Sequence, residues 1–394
     1  MIPRRRPFPT NRRRFGALAT LATTLVLAGA CSFGPPPPDQ NGAPPKFPSP
    51  SGAPSAPSLN GGDGTSSESA EADVLATGVP QPWGIAFLPD ASGLVTERAT
   101  GRIIQLAQPQ TPDGLTVTTA ATVHGLTTTG DGGLLGIAVS PQYDHDKTVY
   151  IYYSTHADNR IASLRLGGAP HVILKGIPHA STDNGGGLGF GPDGYLYAST
   201  GDAGHAASSQ NPKSLAGKIL RMTTAGKPVK GKKSLIYASG FHDVQGLAWD
   251  QAKHLLVVDS TKTADNLDVV TAGGNYGWPL VGTESAPADV IHPVQSWPLA
   301  QSGCAGVATI DNALATACTT SKQMWLVQLT AKADVLGAPA AILSNTFGRL
   351  RALASAPDGS LWVGTSNTDG HGKAGPHDDQ ILRIVLADEG AGVT

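Results

Sequence analysis

Gly187-Leu188-Gly189-Phe190-Gly191-Pro192-Asp193-Gly194-Tyr195-Leu196-Tyr197-Ala198 is a strand, a tight turn and a second strand. The first run alternates small and apolar residues, Pro-Asp-Gly closes the hairpin, and a second apolar strand follows. The same phrase occurs six times. Its other copies begin at Gly84-Ile85-Ala86-Phe87, Gly136-Ile137-Ala138-Val139, Gly246-Leu247-Ala248-Trp249, Gly306-Val307-Ala308-Thr309 and Ala352-Leu353-Ala354-Ser355, at spacings of 52, 51, 59, 60 and 46 residues. A repeat of this length is one supersecondary unit that cannot bury its own faces. A third apolar run, such as Lys218-Ile219-Leu220-Arg221 or Gln380-Ile381-Leu382-Arg383, brings each unit to three or four strands. Stacking six such sheets radially closes a ring, so the expected fold is all-β, a six-bladed β-propeller of about four strands per blade. The small residues of the phrase are expected to face a crowded axis. The stretch from Asp73 to Gly78 is expected to add an outer strand to the last blade and lock the circle.

Working outward, the composition agrees. Among 394 residues, 49 Gly and 31 Pro accompany a charged fraction of only 15%, and no sustained helical period runs through the chain. The N-terminus carries a different message. Arg4, Arg5, Arg6, Arg12, Arg13 and Arg14 precede an apolar stretch from Phe15 to Ala30, too short for a membrane span and suited to a signal-peptide core. Small residues Ala28-Gly29-Ala30 stand before Cys31, the arrangement a lipoprotein signal peptidase needs. Residues 1–30 therefore read as a signal peptide. Cys31 reads as a lipidation (palmitate) site, with ordinary secretion as the alternative. Asn11-Arg12-Arg13-Arg14-Phe15 also resembles a twin-arginine signal, which leaves the export route open. Residues 31–72 are Pro-, Ser- and Gly-rich and read as a disordered spacer. Residues 73–394 are assigned to the propeller.

With residues 1–30 removed, 22 basic and 30 acidic side chains remain, a net charge of -8. No basic footprint suggests nucleic acid. The expected setting is an exported monomer, lipid-anchored to the outer face of the cytoplasmic membrane or cell envelope, with a sugar or an envelope partner as ligand. Cys304 and Cys318 form an even pair in an oxidising compartment and are candidates for a disulfide.

Propeller sites form where loops of several blades converge. Four polar loops qualify: 127–133 with Asp131; 178–187 with His179, Asp183 and Asn184; 239–245 with His242, Asp243 and Gln245; and 346–351 with Arg349 and Arg351. Two Arg at alternate positions of an extended strand point the same way and suit an anion, or else neutralise nearby Asp. Asp131 and Asp183 are open to being a base, metal ligands or turn residues. No metal-ligand spacing, P-loop, Gly-x-Ser-x-Gly or dinucleotide fingerprint is present.

Several phrases resemble one family. They are Val95-Thr96-Glu97-Arg98 with Gly101-Arg102-Ile103, Gly132-Gly133-Leu134-Leu135-Gly136, Gly189-Phe190-Gly191-Pro192-Asp193-Gly194 running to Ser199-Thr200-Gly201-Asp202, Gln210-Asn211 with Ser214 to Arg221, Gly273-Gly274-Asn275-Tyr276-Gly277-Trp278-Pro279, and Gly348-Arg349-Leu350-Arg351. Together they are similar to the soluble quinoprotein glucose, aldose and sorbosone dehydrogenases over roughly residues 76–386. The resemblance implies oxidation of a sugar at C1 with pyrroloquinoline quinone (PQQ) and calcium, using a His as base. It also marks departures. The family's His-Asn-Gly-Gly-Arg-Leu reads Asp183-Asn184-Gly185-Gly186-Gly187-Leu188 here, which makes Asp183 the candidate base. Its Gly-His-Arg-Asn reads Gly240-Phe241-His242-Asp243. The Gln before Gly-Gly-Leu-Leu becomes Asp131, and the calcium-holding Glu-His-Gly-Pro becomes Asp259-Ser260-Thr261-Lys262. Scaffold phrases persist while site phrases have drifted together, a pattern similar to the lipid-anchored, LppZ-like actinobacterial branch. The leading expectation is a tethered propeller that binds a ligand or partner at its channel mouth. The alternatives are an active PQQ/calcium-dependent aldose dehydrogenase and a metal-dependent, lactonase-like hydrolase using Asp131, Asp183 or Asp202.

Overall fold

The computed structural model describes residues 70–107, 115–281, 283 and 286–386. Cys31, the signal segment and most of the spacer lie outside these. Among the described residues no helix is long and apolar enough to cross a membrane.

The chain enters through strand β1 (Ala70–Thr77). The first blade is β2 (Pro82–Phe87), β3 (Gly93–Glu97), β4 (Arg102–Ala107) and β5 (Thr116–Thr122). The second is β6 (Leu134–Val139), β7 (Thr148–Ser154), β8 (Asn159–Arg165) and β9 (His171–Ile177). The third is β10 (Gly185–Phe190), β11 (Leu196–Thr200), β12 (Lys218–Met222) and β13 (Ile236–Ser239). The fourth is β14 (Val244–Trp249), β15 (Leu255–Ser260), β16 (Ala264–Val270) and β17 (Gln295–Pro298). The fifth is β18 (Cys304–Ile310), β19 (Ala313–Cys318), β20 (Gln323–Gln328) and β21 (Ala340–Ile342). The sixth is β22 (Leu350–Ser355), β23 (Leu361–Thr365) and β24 (Gln380–Leu386). Each sheet is antiparallel, and β1 completes the last one by pairing with β24. The six-bladed, four-stranded propeller is thus the observed fold. The closing strand begins at Ala70, three residues before the expected boundary at Asp73.

The repeat phrase forms the innermost strand of every blade. In the fourth, fifth and sixth blades it continues into β15, β19 and β23, which are buried almost throughout because neighbouring blades cover both faces. Turn aspartates hold the hairpins: Asp90 accepts the Ser92 N–H at 3.0 Å, Asp193 the Tyr195 N–H at 3.2 Å and Asp358 the Ser360 N–H at 3.0 Å.

The phrase's glycines line the channel, as expected, and a second neighbour also requires them to be small. A Cβ on Gly84 would meet the Ile137 nitrogen at 3.0 Å, and one on Gly246 would meet the Ala305 oxygen and Val307 nitrogen at 2.8 Å. Each glycine is pressed sideways onto the innermost strand of the next blade, which is what lets six strands crowd round one channel. That channel holds a cavity of about 300 Å³ lined by all six innermost strands.

Every innermost strand also carries a register shift against its neighbour near its start, at Pro82/Ile85, Leu134/Ile137, Gly185/Leu188, Val244/Leu247, Cys304/Gly306 and Leu350/Ala352. Bulges re-aim side chains. Here they set the residues before each repeat position (among them Trp83, Gln245 and Arg351) at one end of the channel.

Candidate functional site

Antiparallel pairing puts the start of each innermost strand beside the end of the next. Residues just before β6, β10, β14 and β22 therefore share one end with those just after β3, β11 and β23. This gathers Asp131, Asp183, His242, Asp243 and Arg349 with Arg98, Asp202 and Asp369. The disulfide Cys304–Cys318 joins β18 to β19 at the same end.

Two networks are built there. In the first, Asp243 accepts the Gly185 N–H at 2.7 Å and the Gln245 side-chain amide at 2.7 Å. Gln245 in turn accepts from Arg351 at 2.5 Å, and the Arg351 guanidinium lies 4.6 Å from the Trp83 ring centroid. Trp83 and Gln245 also line the channel cavity, so this chain closes its end. Arg349 donates to Asp369 through Nε at 3.0 Å and Nη2 at 2.9 Å, and to the Thr319 carbonyl at 3.2 Å. Arg351 lies 4.0 Å from the same carboxylate. Of the two expected roles for the Arg pair, neutralising a nearby Asp is the one observed.

The second network surrounds His242, which is 5% exposed. Its Nδ1 faces the Ser260 carbonyl at 2.5 Å, and since a carbonyl only accepts, Nδ1 carries a proton and Nε2 is turned outward. Nε2 is buried and has no hydrogen-bond partner. It points at Asp183 Oδ1, 3.7 Å away, and Asp202 Oδ2, 4.0 Å away. Asp202 accepts the Trp278 indole N–H at 2.8 Å and the Gly204 N–H at 2.7 Å. Trp278 meets the His242 ring edge-on at 4.6 Å. Asp183 adopts a left-handed backbone, with φ of 60°, which turns its carboxylate toward the imidazole.

Asp259 anchors both networks. Its carboxylate accepts the backbone N–H of His242 at 2.9 Å and of Asp243 at 2.7 Å, fixing the loop that carries them. Burial pushes the pKa of both Asp243 and Asp259 up; the charges of Asp131 and Asp183 add to the first shift, and that of Asp243 adds to the second. Burial pushes Arg351 down, opposed by Asp131 and Asp369.

The remaining candidates fall into place around these. Asn184, expected to contact ligand, is 2% exposed and braces its own loop: it donates to the Ala180 carbonyl at 2.8 Å and accepts from Asn159 at 3.1 Å. Of Asp131, Asp183 and Asp202, only the last two join His242. Asp131 sits within electrostatic reach of Arg98 and Arg351. Asp369 and the bracing role of Arg98, which donates to the Gln81 side chain at 2.7 Å and the Gly132 carbonyl at 3.1 Å, were missed from the sequence.

Residues 79–374 match the family model described as Glucose / Sorbosone dehydrogenase. The chain belongs to this family. Among solved structures it is similar to the PQQ-bound aldose sugar dehydrogenase of Streptomyces coelicolor, with 36% identity and a TM-score of 0.75 over 81% of this chain and 99% of that one. Among curated proteins it is 26% identical to the aldose sugar dehydrogenase YliI of Escherichia coli and 28% identical to quinoprotein glucose dehydrogenase B of Acinetobacter calcoaceticus. Those matches cover 53% and 55% of this chain and only 61% and 53% of the relatives' lengths.

The residues at this end do not fit the quinone. PQQ carries three carboxylates, which favour cations not already neutralised by the protein. The Arg349 guanidinium is spent on Asp369 and Thr319, and Arg351 is held by Gln245 and covered by Trp83. The one orphaned polar atom in the second network is His242 Nε2, which together with the two carboxylates it faces makes a donor set for a cation.

Proposed function

We propose that the protein is a family member turned to binding: a propeller tethered outside the cytoplasmic membrane through lipid on Cys31, holding a neutral polyhydroxylated ligand of the sugar class at its mouth without quinone-dependent oxidation. The observation that carries this is the charge of the mouth. Four departures from the family phrases (His to Asp183, Arg to His242, Asn to Asp243 and Gln to Asp131) each remove positive charge or add negative charge. The arginines that remain are paired within the protein. Carboxylates accept hydroxyl protons well, each such bond contributing about 1.5–3 kcal/mol when one partner is charged, so an acidic mouth suits a polyol better than a tricarboxylate.

The test is tryptophan fluorescence during titration with mono- and disaccharides, run beside dye-linked aldose oxidation with added PQQ and calcium. Trp278 and Trp83 stand at the mouth and serve as reporters. Saturable quenching, weakened about tenfold in Asp183→Asn, with no dye reduction, supports the proposal. Dye reduction abolished by Asp183→Ala would instead establish a working dehydrogenase with Asp183 as its base.

A further inference from the structure

We infer that Asp183, Asp202 and His242 form a binding site for a divalent transition-metal ion of the zinc class, open to the channel mouth. The three side chains offer one donor atom each, all within 4.8 Å of one another. They come from two blades, before β10, after β11 and before β14, and no short-range spacing in the sequence brings them together.

The second observation is the state of His242. Its side chain is 7% exposed, and its Nε2 is buried without a partner while aimed at both carboxylates. A proton on Nε2 does not resolve this. Both carboxylate oxygens, at 3.7 and 4.0 Å, lie beyond hydrogen-bonding distance. An ion does resolve it. Ligand bonds of about 2.0–2.2 Å in a tetrahedron hold donor atoms roughly 3.3–3.6 Å apart, so closing onto an ion takes about 0.1–0.7 Å from the two imidazole–carboxylate distances of 3.7 and 4.0 Å, and at most about 1.5 Å between the two carboxylates, whose donor oxygens lie within 4.8 Å of each other.

The surrounding bonds are those a metal site needs. Metal-bound imidazoles donate their other N–H to a carbonyl or carboxylate, which fixes the tautomer, and ligating carboxylates are themselves hydrogen-bonded. His242 Nδ1 faces the Ser260 carbonyl. Asp202 accepts from Trp278 and Gly204. Asp183 accepts the Thr182 hydroxyl at 3.0 Å through Oδ2, leaving Oδ1 toward the imidazole. Asp183 is also the most exposed of the three, its side chain 20% accessible against 7% and 2%, so ion and solvent enter past it.

The ligand types select the ion. Calcium takes six to eight oxygens, and an imidazole is a poor choice for it. One imidazole with two carboxylates suits zinc and its neighbours, and three protein ligands leave a fourth position for water or ligand. This inference stands apart from the sugar-binding proposal, since an ion can bind whether or not a sugar does.

The test is calorimetric titration of the chelator-stripped protein with zinc chloride, with calcium chloride as the comparison. Cobalt substitution gives a visible absorption band as a second readout. Expected is one zinc per chain, calcium failing to compete, and loss of the band in His242→Ala. Asp183→Asn should also lose the ion, and it guards against misfolding because Asn tolerates the left-handed backbone at that position. Trp278→Phe, which removes the N–H to Asp202 and shortens the ring against His242, should weaken zinc about tenfold. His254→Ala, at a distant His–Asp pair, should change nothing. The inference is overturned by absence of stoichiometric zinc uptake, by uptake undiminished in Asp183→Asn and His242→Ala, or by equal affinity for calcium.

Discussion

Asp369 shows what a single side chain contributes at this end. It holds Arg349 through two nitrogens, accepts the Ser366 hydroxyl at 3.0 Å and caps the His371 N–H at 2.9 Å. Burial alone would push its carboxyl up, but the His371 N–H, the Arg349 guanidinium and the Ser366 hydroxyl outweigh that and hold it below the ordinary carboxylate value. A depressed folded-state pKa means stability that is present above the unfolded value near 3.9 and lost as pH falls through the folded one. Asp369→Asn should therefore cost about 3 kcal/mol at neutral pH, where it strands a largely buried guanidinium. Melting curves from pH 7 down to pH 3 should show the gap between wild type and variant narrowing on the acid side. A gap independent of pH would mean the carboxylate charge is not what matters. Asp369 lies in a polar loop after β23 with no motif, so nothing local marked it. Asp183, His242, Asp243, Gln245, Arg349 and Arg351 were marked by their loops, yet their partners were not. Whether Arg349 meets a ligand or an aspartate is decided by a loop some twenty residues away, and such pairings exist only after the blade has folded.

At the scale of the strand, the repeat phrase was readable because its physics is local: alternation, a turn aspartate and an apolar second strand. Its glycines were placed correctly beside the channel, but their contact with the next blade was not foreseen. An alternating pattern says that a small residue is required but not which neighbour requires it. Neighbouring innermost strands meet backbone to backbone, and a side chain on Gly246 has no room between them. Gly246→Ala is expected to destabilise by about 1–3 kcal/mol, read as a lower denaturant midpoint with an unchanged slope. An unaltered midpoint would show that the blades can part without cost. The same close approach explains why the bulge residues matter. With the strands locked sideways, the residue before each repeat position is set toward the end of the channel, and in three blades it is Trp83 (before Gly84), Gln245 (before Gly246) or Arg351 (before Ala352).

For the whole molecule, closure is the dominant constraint. An open ring of six sheets would leave β24 as an unpaired edge, and β1 covers it along seven paired positions. Asp379 adds a second tie between the chain's two ends: it accepts the Gln81 N–H at 3.1 Å from the first blade and the Thr365 hydroxyl at 3.1 Å from the last. A chain beginning at Gly78 should melt well below the intact protein and aggregate through the exposed edge, as size-exclusion chromatography would show. Equal melting would locate closure elsewhere. This architecture was legible in the sequence down to its closing strand. The proposed ligand was not, because it rests on the balance of charge among residues from several blades. That balance is tested most directly by calorimetric titration of the purified protein with PQQ in the presence of calcium. Expected is no saturable heat, because the guanidiniums are paired and the mouth is acidic. Stoichiometric uptake of one PQQ per chain would contradict the central claim and return the protein to quinone-dependent sugar oxidation.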